Sequence, residues 1–276
     1  MELTFTKMHG LGNDFVLING MRQHLALTRG QVRQLADRHF GVGCDQVLIL
    51  EPARSGDADV HYRIYNADGG EVEHCGNGVR CVARYLRDEG IIAKDEITVE
   101  TMTGVSRVYI EPDGMVRVNM GAPRFEPADI PLLAKHRASV YQIDVGGGQL
   151  KVGAVSMGNP HAVLKVDNVD TAPVSTLGPM IERHEMFPEG VNVGFMQVVD
   201  AKHIRLRVFE RGTGETLACG TGACAAVVVG RLHGLLKPEV DVAVPGGHLL
   251  INWADHGEPV WMTGPAARVF EGQIQL

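Results

Sequence analysis

The chain has 276 residues, of which 45% are hydrophobic and 21% are charged, and its formal net charge at pH 7 is −7. This length and apolar fraction suffice for one large domain or two smaller ones with real cores, and the negative charge argues against nucleic acid or an anionic membrane as the main partner. The sequence contains no signal-peptide pattern, no apolar run near the ~20 residues of a membrane span, and no C-x2-C pair among its five cysteines, so we expect a cytoplasmic protein without a disulfide framework or zinc site.

The predicted elements are mostly short strands, with three helices among them. Apolar or alternating runs bounded by turn residues predict strands at 3–9, 15–19, 46–51, 60–65, 97–101, 105–110, 115–120, 142–145, 151–156, 162–166, 192–199, 204–209, 241–244, 249–252 and 260–263. Apolar residues at helical spacing predict helices at 28–39, 79–87 and 223–232, with Thr28 as an N-cap. The third helix is rich in β-branched residues, so burial has to stabilise it. A boundary between two lobes is expected near Gly121.

Two cysteine segments in the two halves of the chain match without a gap. Cys75-Gly76-Asn77-Gly78 and Cys219-Gly220-Thr221-Gly222 lie 144 residues apart, and each follows an aromatic residue and a Gly-Glu pair at the same distances. Most single cysteines are small buried hydrophobic residues, an interpretation that suits Cys44, Cys81 and Cys224. It does not explain a duplicated, glycine-rich cysteine motif, which favours a catalytic role for Cys75 and Cys219.

Each motif precedes a predicted helix, and this position suggests how the thiols react. The unpaired N–H groups and positive dipole end of a helix N-terminus stabilise a thiolate and can lower the pKa of a thiol. Bare glycine backbone also allows a substrate carboxylate to approach closely. Two thiols on opposite faces of a carbon could act as base and acid, so the pattern indicates proton transfer at a carbon next to a carboxylate.

Two asparagines repeat in a similar way. Asn13 and Asn159 both follow glycine and lie 146 residues apart. A Gly-Asn pair is usually only a turn, but near-equivalent positions in a duplicated chain point to a site. Glu210 and Arg211 carry opposite charges side by side, which suits either a solvated surface or the zwitterionic head of an amino acid.

Several motifs in this order resemble those of the diaminopimelate epimerase family, and the resemblance runs along the whole chain. The motifs are His9-Gly10-Leu11-Gly12-Asn13-Asp14-Phe15, Asn66-Ala67-Asp68-Gly69, Cys75-Gly76-Asn77-Gly78-Val79-Arg80, Gly158-Asn159-Pro160-His161, Glu210-Arg211-Gly212 and Ala218-Cys219-Gly220-Thr221-Gly222.

This resemblance implies an α/β (α+β) fold of two pseudo-symmetric lobes, each a strongly curved, mostly antiparallel sheet around a central helix, with the active site in the cleft between them. The lobes would comprise residues 1–120 with 264–276, carrying Cys75, and 121–263, carrying Cys219, the last strand (267–274) returning to the first lobe. The implied activity is cofactor-independent epimerisation of LL- to meso-2,6-diaminopimelate by a thiolate and a thiol, in lysine and cell-wall precursor biosynthesis. A homodimer is also implied.

The resemblance assigns roles to individual residues. Cys75 and Cys219 would be the acid and base, exchanging roles with reaction direction, and His161 with Glu210 would adjust the pKa of a catalytic cysteine. The substrate would be bound by Asn13, Gln46, Asn66, Gly76, Asn77, Asn159, Asn192, Glu210, Arg211, Gly220 and Thr221. Since Asn66 in one half corresponds to Glu210 in the other, we expect the distal end of the substrate to be recognised asymmetrically.

No cofactor and no metal are expected. The glycine-rich segments contain no lysine for a pyridoxal phosphate Schiff base, there is no phosphate-binding loop, and no His and carboxylate cluster favours a metal. The alternatives are a proline-racemase-like isomerase, a phenazine-biosynthesis-type isomerase, which lacks the cysteine pair, and, from another class, a non-enzymatic two-lobed amino-acid-binding or thiol redox protein.

Overall fold

The computed structural model describes residues 1–23, 25–72, 76–102 and 104–276. They form two compact units, Met1–Val118 with Gly264–Leu276, and Asn119–Thr263. The division after Val118 falls two residues before the boundary expected from the sequence. A mixed α/β fold of curved, mostly antiparallel strands around helices is confirmed.

The first unit contains two helices and most of its strands in the first 118 residues. Its elements are β1 (Glu2–Gly10), β2 (Asn13–Asn19), α1 (Arg29–Ala36), β3 (Gln46–Glu51), β4 (Val60–Asn66), β5 (Glu71–Val72), α2 (Gly76–Asp88), β6 (Glu96–Thr101), β7 (Gly104–Ile110) and β8 (Val116–Asn119). The short strand β5 was not predicted. The strand predicted at 115–120 is confirmed over a shorter range.

Helix α1 begins as predicted and ends early. Thr28 caps it, accepting a hydrogen bond from the Gln31 N–H while the Gln31 side chain accepts one from the Thr28 N–H. The predicted end at residue 39 is wrong, because the Asp37 carboxylate accepts hydrogen bonds from the N–H groups of His39 (2.7 Å) and Phe40 (2.8 Å). Such a local side-chain turn competes with continued helix.

The second unit follows the same plan, and the strand after it belongs to the first unit. Its elements are a 3-10 helix (Pro127–Asp129), β9 (Tyr141–Val145), β10 (Gly148–Ser156), β11 (Pro160–Lys165), α3 (Val174–Glu182), β12 (Asn192–Asp200), β13 (His203–Glu210), β14 (Gly214–Thr216), α4 (Gly220–Leu232), β15 (Glu239–Val244), β16 (Gly247–Asn252) and β17 (Trp261–Gly264). The final strand, β18 (Ala267–Gln275), pairs antiparallel with β1 in the first unit.

Helix α3 was missed in the sequence. It contains Gly178 and Pro179 in its middle, two residues that normally interrupt helices. A Cβ on Gly178 would lie 2.6 Å from the ring of Phe209. The glycine is therefore required for α3 to pack closely on β13, and tertiary packing overrides its low helix propensity.

The two units repeat one another in strand connectivity. In the first, β1–β2 is antiparallel, β2–β3 parallel and β3–β4 antiparallel; β10–β11, β11–β12 and β12–β13 follow the same sequence in the second. The registers also correspond, since Phe15 pairs with Gln46 and His161 pairs with Asn192. The duplication inferred from the cysteine motifs thus extends to the sheets.

Each unit buries its glycine-led helix. The apolar face of α2, including Val79, Val82 and Leu86, is fully buried, and residues 222–230 of α4 are buried along their whole length. This confirms that burial stabilises the β-branched α4. In the part of the chain that the structure describes, no helix is both long and apolar enough to cross a membrane.

Candidate active site

One end of the sheet in the second unit gathers most of its candidate residues. The parallel strands β11 and β12 begin together, with His161 beside Asn192, and β13 runs antiparallel to β12 so that it ends there at Glu210. Asn159 lies just before β11, and α4 begins at Gly220. The topology therefore assembles residues from four separate segments.

Cys219 is the N-cap of α4, and Gly220 is its first helical residue. The predicted helix started at 223, so the Gly-x-Gly segment forms the first turn rather than a preceding loop; Gly76 likewise begins α2. A Cβ on Gly222 would lie 3.2 Å from the Cys219 Sγ and 3.0 Å from Val208. Glycine is needed at this position to leave room for the sulfur, which accepts a hydrogen bond from the Gly222 N–H.

The pKa of the Cys219 thiol is raised well above its ordinary value. Burial is the largest cause, followed by the negative charge of Glu210, whose carboxylate also accepts a hydrogen bond from the thiol; hydrogen bonds from Thr221 and the Gly222 N–H act in the opposite direction. The first turn of α4 lowers the pKa of Cys219 as expected, through the Gly222 N–H, but burial and Glu210 outweigh this effect, so the expected net fall in pKa does not occur. Burial and Glu210 thus favour the protonated form of the thiol.

A line of hydrogen bonds leads from His161 to the sulfur. The His161 Nε2 lies 3.0 Å from the Asn159 Oδ1, the Asn159 Nδ2 donates to the Thr221 Oγ1 (3.3 Å), and the Thr221 Oγ1 lies 3.6 Å from the Cys219 Sγ. Because Asn159 uses its N–H2 group on Thr221, its carbonyl accepts from His161, which fixes the Nε2–H tautomer. Thr221 is then free to donate its hydroxyl hydrogen to the sulfur.

His161 is neutral in this arrangement. Burial, and secondarily the charge of Arg211, lower its pKa to about 3. The His161 ring is hydrogen-bonded to the Asn159 side chain. Asn159 and Thr221 link it by hydrogen bonds to Cys219.

Glu210 and Arg211 lie at the end of β13, and each is held by other groups. The Thr216 hydroxyl donates to the Glu210 carboxylate at 2.5 Å. The Arg211 N–H donates to the Asn192 Oδ1 (3.0 Å), while the Asn192 Nδ2 donates to the Pro160 carbonyl (2.9 Å). Asn192 is only 4% exposed and links β11 to the Arg211 backbone.

The candidate residues of the first unit form two pairs at the corresponding sheet end. The Asn77 Nδ2 donates to the Asn13 Oδ1 at 3.2 Å, and the Gln46 Nε2 donates to the Asn66 Oδ1 at 2.8 Å. Asn13, Gln46 and Asn66 are the first residues of β2 and β3 and the last of β4, which explains their proximity. Cys75, the other predicted acid or base, lies outside the described residues.

Sequence reasoning missed two residues that support these groups. Thr216 holds Glu210, as above, and Asp45 accepts a hydrogen bond from the Asn13 Nδ2 at 2.9 Å. Arg38 in turn donates to Asp45 (2.7 Å). No motif marks either residue, because each acts through a neighbour in space. Over residues 1–23, 25–72, 76–102 and 104–276, no group of three or more His, Cys, Asp or Glu side chains could hold a metal ion.

Comparison with known proteins decides the family. A sequence model described as diaminopimelate epimerase matches residues 5–126 and 153–269. A diaminopimelate epimerase of Alkalilimnicola ehrlichii is 60% identical over 278 residues, with 100% of both chains covered. The chain belongs to the diaminopimelate epimerase family. The resemblance read from the motifs is confirmed.

Solved structures show how far this family's fold extends. A phenazine biosynthesis protein of the PhzF family from Bacillus anthracis has a TM-score of 0.71 at 18% identity, covering 100% of both chains. A hydroxyproline epimerase from Agrobacterium vitis, solved with trans-4-hydroxy-L-proline bound, has a TM-score of 0.71 at 18% identity, covering 99% of this chain and 92% of the other. At such identities the likeness concerns the fold alone. The chemistry of this chain therefore has to be argued from its own residues and its own family.

Proposed function

We propose that this protein interconverts LL- and meso-2,6-diaminopimelate without a cofactor, with Cys75 and Cys219 as the two acid/base groups. The observation that carries the proposal is the buried Cys219 at the N-cap of α4, with its Sγ 3.6 Å from the Thr221 Oγ1, in a chain that belongs to the diaminopimelate epimerase family.

The geometry around Cys219 supports proton delivery by this thiol. Proton transfer to the α-carbon leaves a thiolate, which the Gly222 N–H and the Thr221 hydroxyl stabilise. The N–H groups at the first turn of α4 can stabilise the negative charge that spreads onto the substrate carboxylate when the α-proton is removed. In the opposite direction the Cys219 thiolate removes the α-proton, and Cys75 would then deliver the other.

The substrate assignment rests on Glu210 and Arg211. They follow one another in the sequence, and a carboxylate together with a guanidinium suits a distal amino-acid head with one ammonium and one carboxylate group. Hydroxyproline, which is bound in a hydroxyproline epimerase of the same fold, has no distal head. These two side chains therefore favour an acyclic diamino diacid.

The direct test is turnover of LL-diaminopimelate in deuterated water by the purified protein. We expect meso product with deuterium at the inverted α-carbon, because one thiol removes the substrate proton and the other delivers one from solvent. Cys219→Ala and Cys75→Ala should each lower kcat by at least about 100-fold. Cys224→Ala and Cys81→Ala, which replace buried cysteines of α4 and α2, are the matched controls. Near-normal turnover by folded Cys219→Ala would contradict the two-base mechanism.

The same proposal covers the setting of the enzyme. Independence of pyridoxal phosphate, a cytoplasmic location, a place in lysine biosynthesis and a homodimeric state all accord with the family. Sedimentation equilibrium measures the state directly, and a monomer at assay concentration would contradict it.

A further inference from the structure

The side chain of Arg211 is placed by its surroundings. Its Nη1 donates to the Glu189 carbonyl at 2.8 Å, and its stem crosses Gly190, where a Cβ would lie 3.0 Å from the Arg211 Cδ. Gly190 has a φ of +73°. The Arg211 side chain therefore packs on the turn at Gly190, where the absence of a side chain leaves room for it.

The turn after Arg211 is held by a buried carboxylate on α3. Gly212, whose φ is +74°, donates its N–H to the Glu182 Oε1 at 2.7 Å. Glu182 is only 7% exposed. The Arg183 Nε lies 3.7 Å from the Glu182 Oε2, but the Arg183 side chain is 84% exposed, so this ion pair contributes little. A buried carboxylate needs good hydrogen-bond donors, and Gly212 supplies one.

Helix α3 contacts the strands β12 and β13, and these contacts fix the position of Glu182. Gly178 packs on Phe209, the residue before Glu210, and the Val191 N–H donates to the Glu182 carbonyl at 3.1 Å. Glu182 therefore ties the start of β12 and the end of β13 to one point. The Arg211 N–H, bonded to Asn192, completes the frame.

We propose that Glu182 is a positioning residue that holds the Arg211–Gly212 turn in the conformation that binds the distal head of the substrate. This inference rests on the proposed function, since it assigns Arg211 to the distal carboxylate. Glu182 acts through the backbone of Gly212. It belongs to no motif, and it lies on the helix that the sequence analysis missed.

The test distinguishes a positioning role of Glu182 from a general loss of folding. Loss of a charge-assisted hydrogen bond in Glu182→Ala should raise KM for LL-diaminopimelate by about tenfold or more, with a smaller change in kcat. Glu182→Gln keeps an acceptor for the Gly212 N–H and should stay within about threefold of wild type. Glu185→Ala, an exposed glutamate on the same segment, is the matched control.

Two further measurements tie the effect to Arg211. In an Arg211→Ala background, Glu182→Ala should add less than about twofold to KM, because the two changes share one function. The pH titration of the Cys219 thiol should be unchanged in Glu182→Ala, since Thr216 holds Glu210 independently. If Glu182→Ala does not fold, Glu182→Asp, whose carboxylate is one carbon short of Gly212, replaces it with the same expected rise in KM.

The outcomes distinguish this proposal from the proposed function. A normal KM in folded Glu182→Ala or Glu182→Asp would overturn the role of Glu182. So would effects on KM that are fully additive with those of Arg211→Ala. In either case, turnover by the wild-type protein would still support the epimerase activity. A shifted titration of Cys219 in Glu182→Ala would show that the end of β13 as a whole is disrupted, and this would also overturn the positioning role of Glu182. Absence of diaminopimelate turnover by the wild-type protein would overturn both.

Discussion

Two substitutions next to Cys219 should move its titration in opposite directions. Glu210→Gln removes a negative charge and a strong acceptor for the thiol hydrogen, so the pKa of Cys219 should fall. Thr221→Val removes a donor to the sulfur, so the same pKa should rise. Each sign follows from the causes of the raised pKa in the structure: Glu210 raises it and Thr221 lowers it.

The sizes of the two effects differ because one involves a charge. Two unit charges about 4 Å apart interact by about 4 kcal/mol at an effective dielectric constant of about 20, so Glu210→Gln could raise the thiolate-to-thiol ratio at fixed pH by up to about 1000-fold. A hydrogen bond from a neutral hydroxyl is worth about 1 kcal/mol, so Thr221→Val should lower this ratio by about fivefold. Burial, the largest cause, is unchanged in both variants.

The assay is the ultraviolet absorbance of the thiolate, titrated against pH. Subtracting the titration of Cys219→Ala isolates this sulfur from the other four thiols, those of Cys44, Cys75, Cys81 and Cys224. Glu215→Gln is the matched control, because that carboxylate lies on β14 and bonds Arg207 at 2.6 Å and 2.8 Å. Shifts in the same direction for Glu210→Gln and Thr221→Val, or an unchanged titration in Glu210→Gln, would refute the account of the site.

Three other results are expected. The buried, neutral His161 has a pKa of about 3 in the folded protein and about 6.5 in the unfolded chain. Between these two pH values, unfolding is therefore accompanied by uptake of a proton. The free energy of unfolding should fall with decreasing pH in this range, by up to about 1.4 kcal/mol per pH unit. Denaturation of His161→Gln at several pH values should show a shallower slope, and an equal slope would contradict this. Gly178→Ala should destabilise the protein by about 1–3 kcal/mol, since its methyl group would lie 2.6 Å from the Phe209 ring; an unchanged thermal midpoint would show that α3 can move. Lysine, which lacks the distal carboxylate, should be epimerised at least about 100-fold less efficiently than diaminopimelate, and Arg211→Ala should narrow that difference in kcat/KM; equal kcat/KM for both substrates in wild type would contradict the role of Arg211.

Local sequence patterns were sufficient for much of the fold and for the outline of the site. The cysteine offset of 144 residues predicted a duplication, which the repeated strand order of β1–β4 and β10–β13 bears out. Apolar spacing predicted α2 and α4, because a period of 3.6 residues is visible in the sequence itself. The N-cap of α1 was also predictable, since Thr28 and Gln31 form a local pair.

Other features depend on contacts between distant segments. Helix α3 was hidden because Gly178 and Pro179 read as a helix break, and its stability comes from packing on Phe209. The support that Asp45 gives to Asn13 has no motif, because hydrogen bonds between side chains from different loops leave no periodic pattern.

The same division holds at Cys219. Its sequence, a cysteine followed by Gly-Thr-Gly and an apolar helix, determined that the sulfur lies at a helix N-terminus, because helix formation and capping are local. Whether the thiol is ionised there was decided by tertiary structure, which buries the sulfur and brings the end of β13, with Glu210, beside it. Burial and the field of a neighbouring charge depend on position in space, and they outweigh the local effect of the helix end.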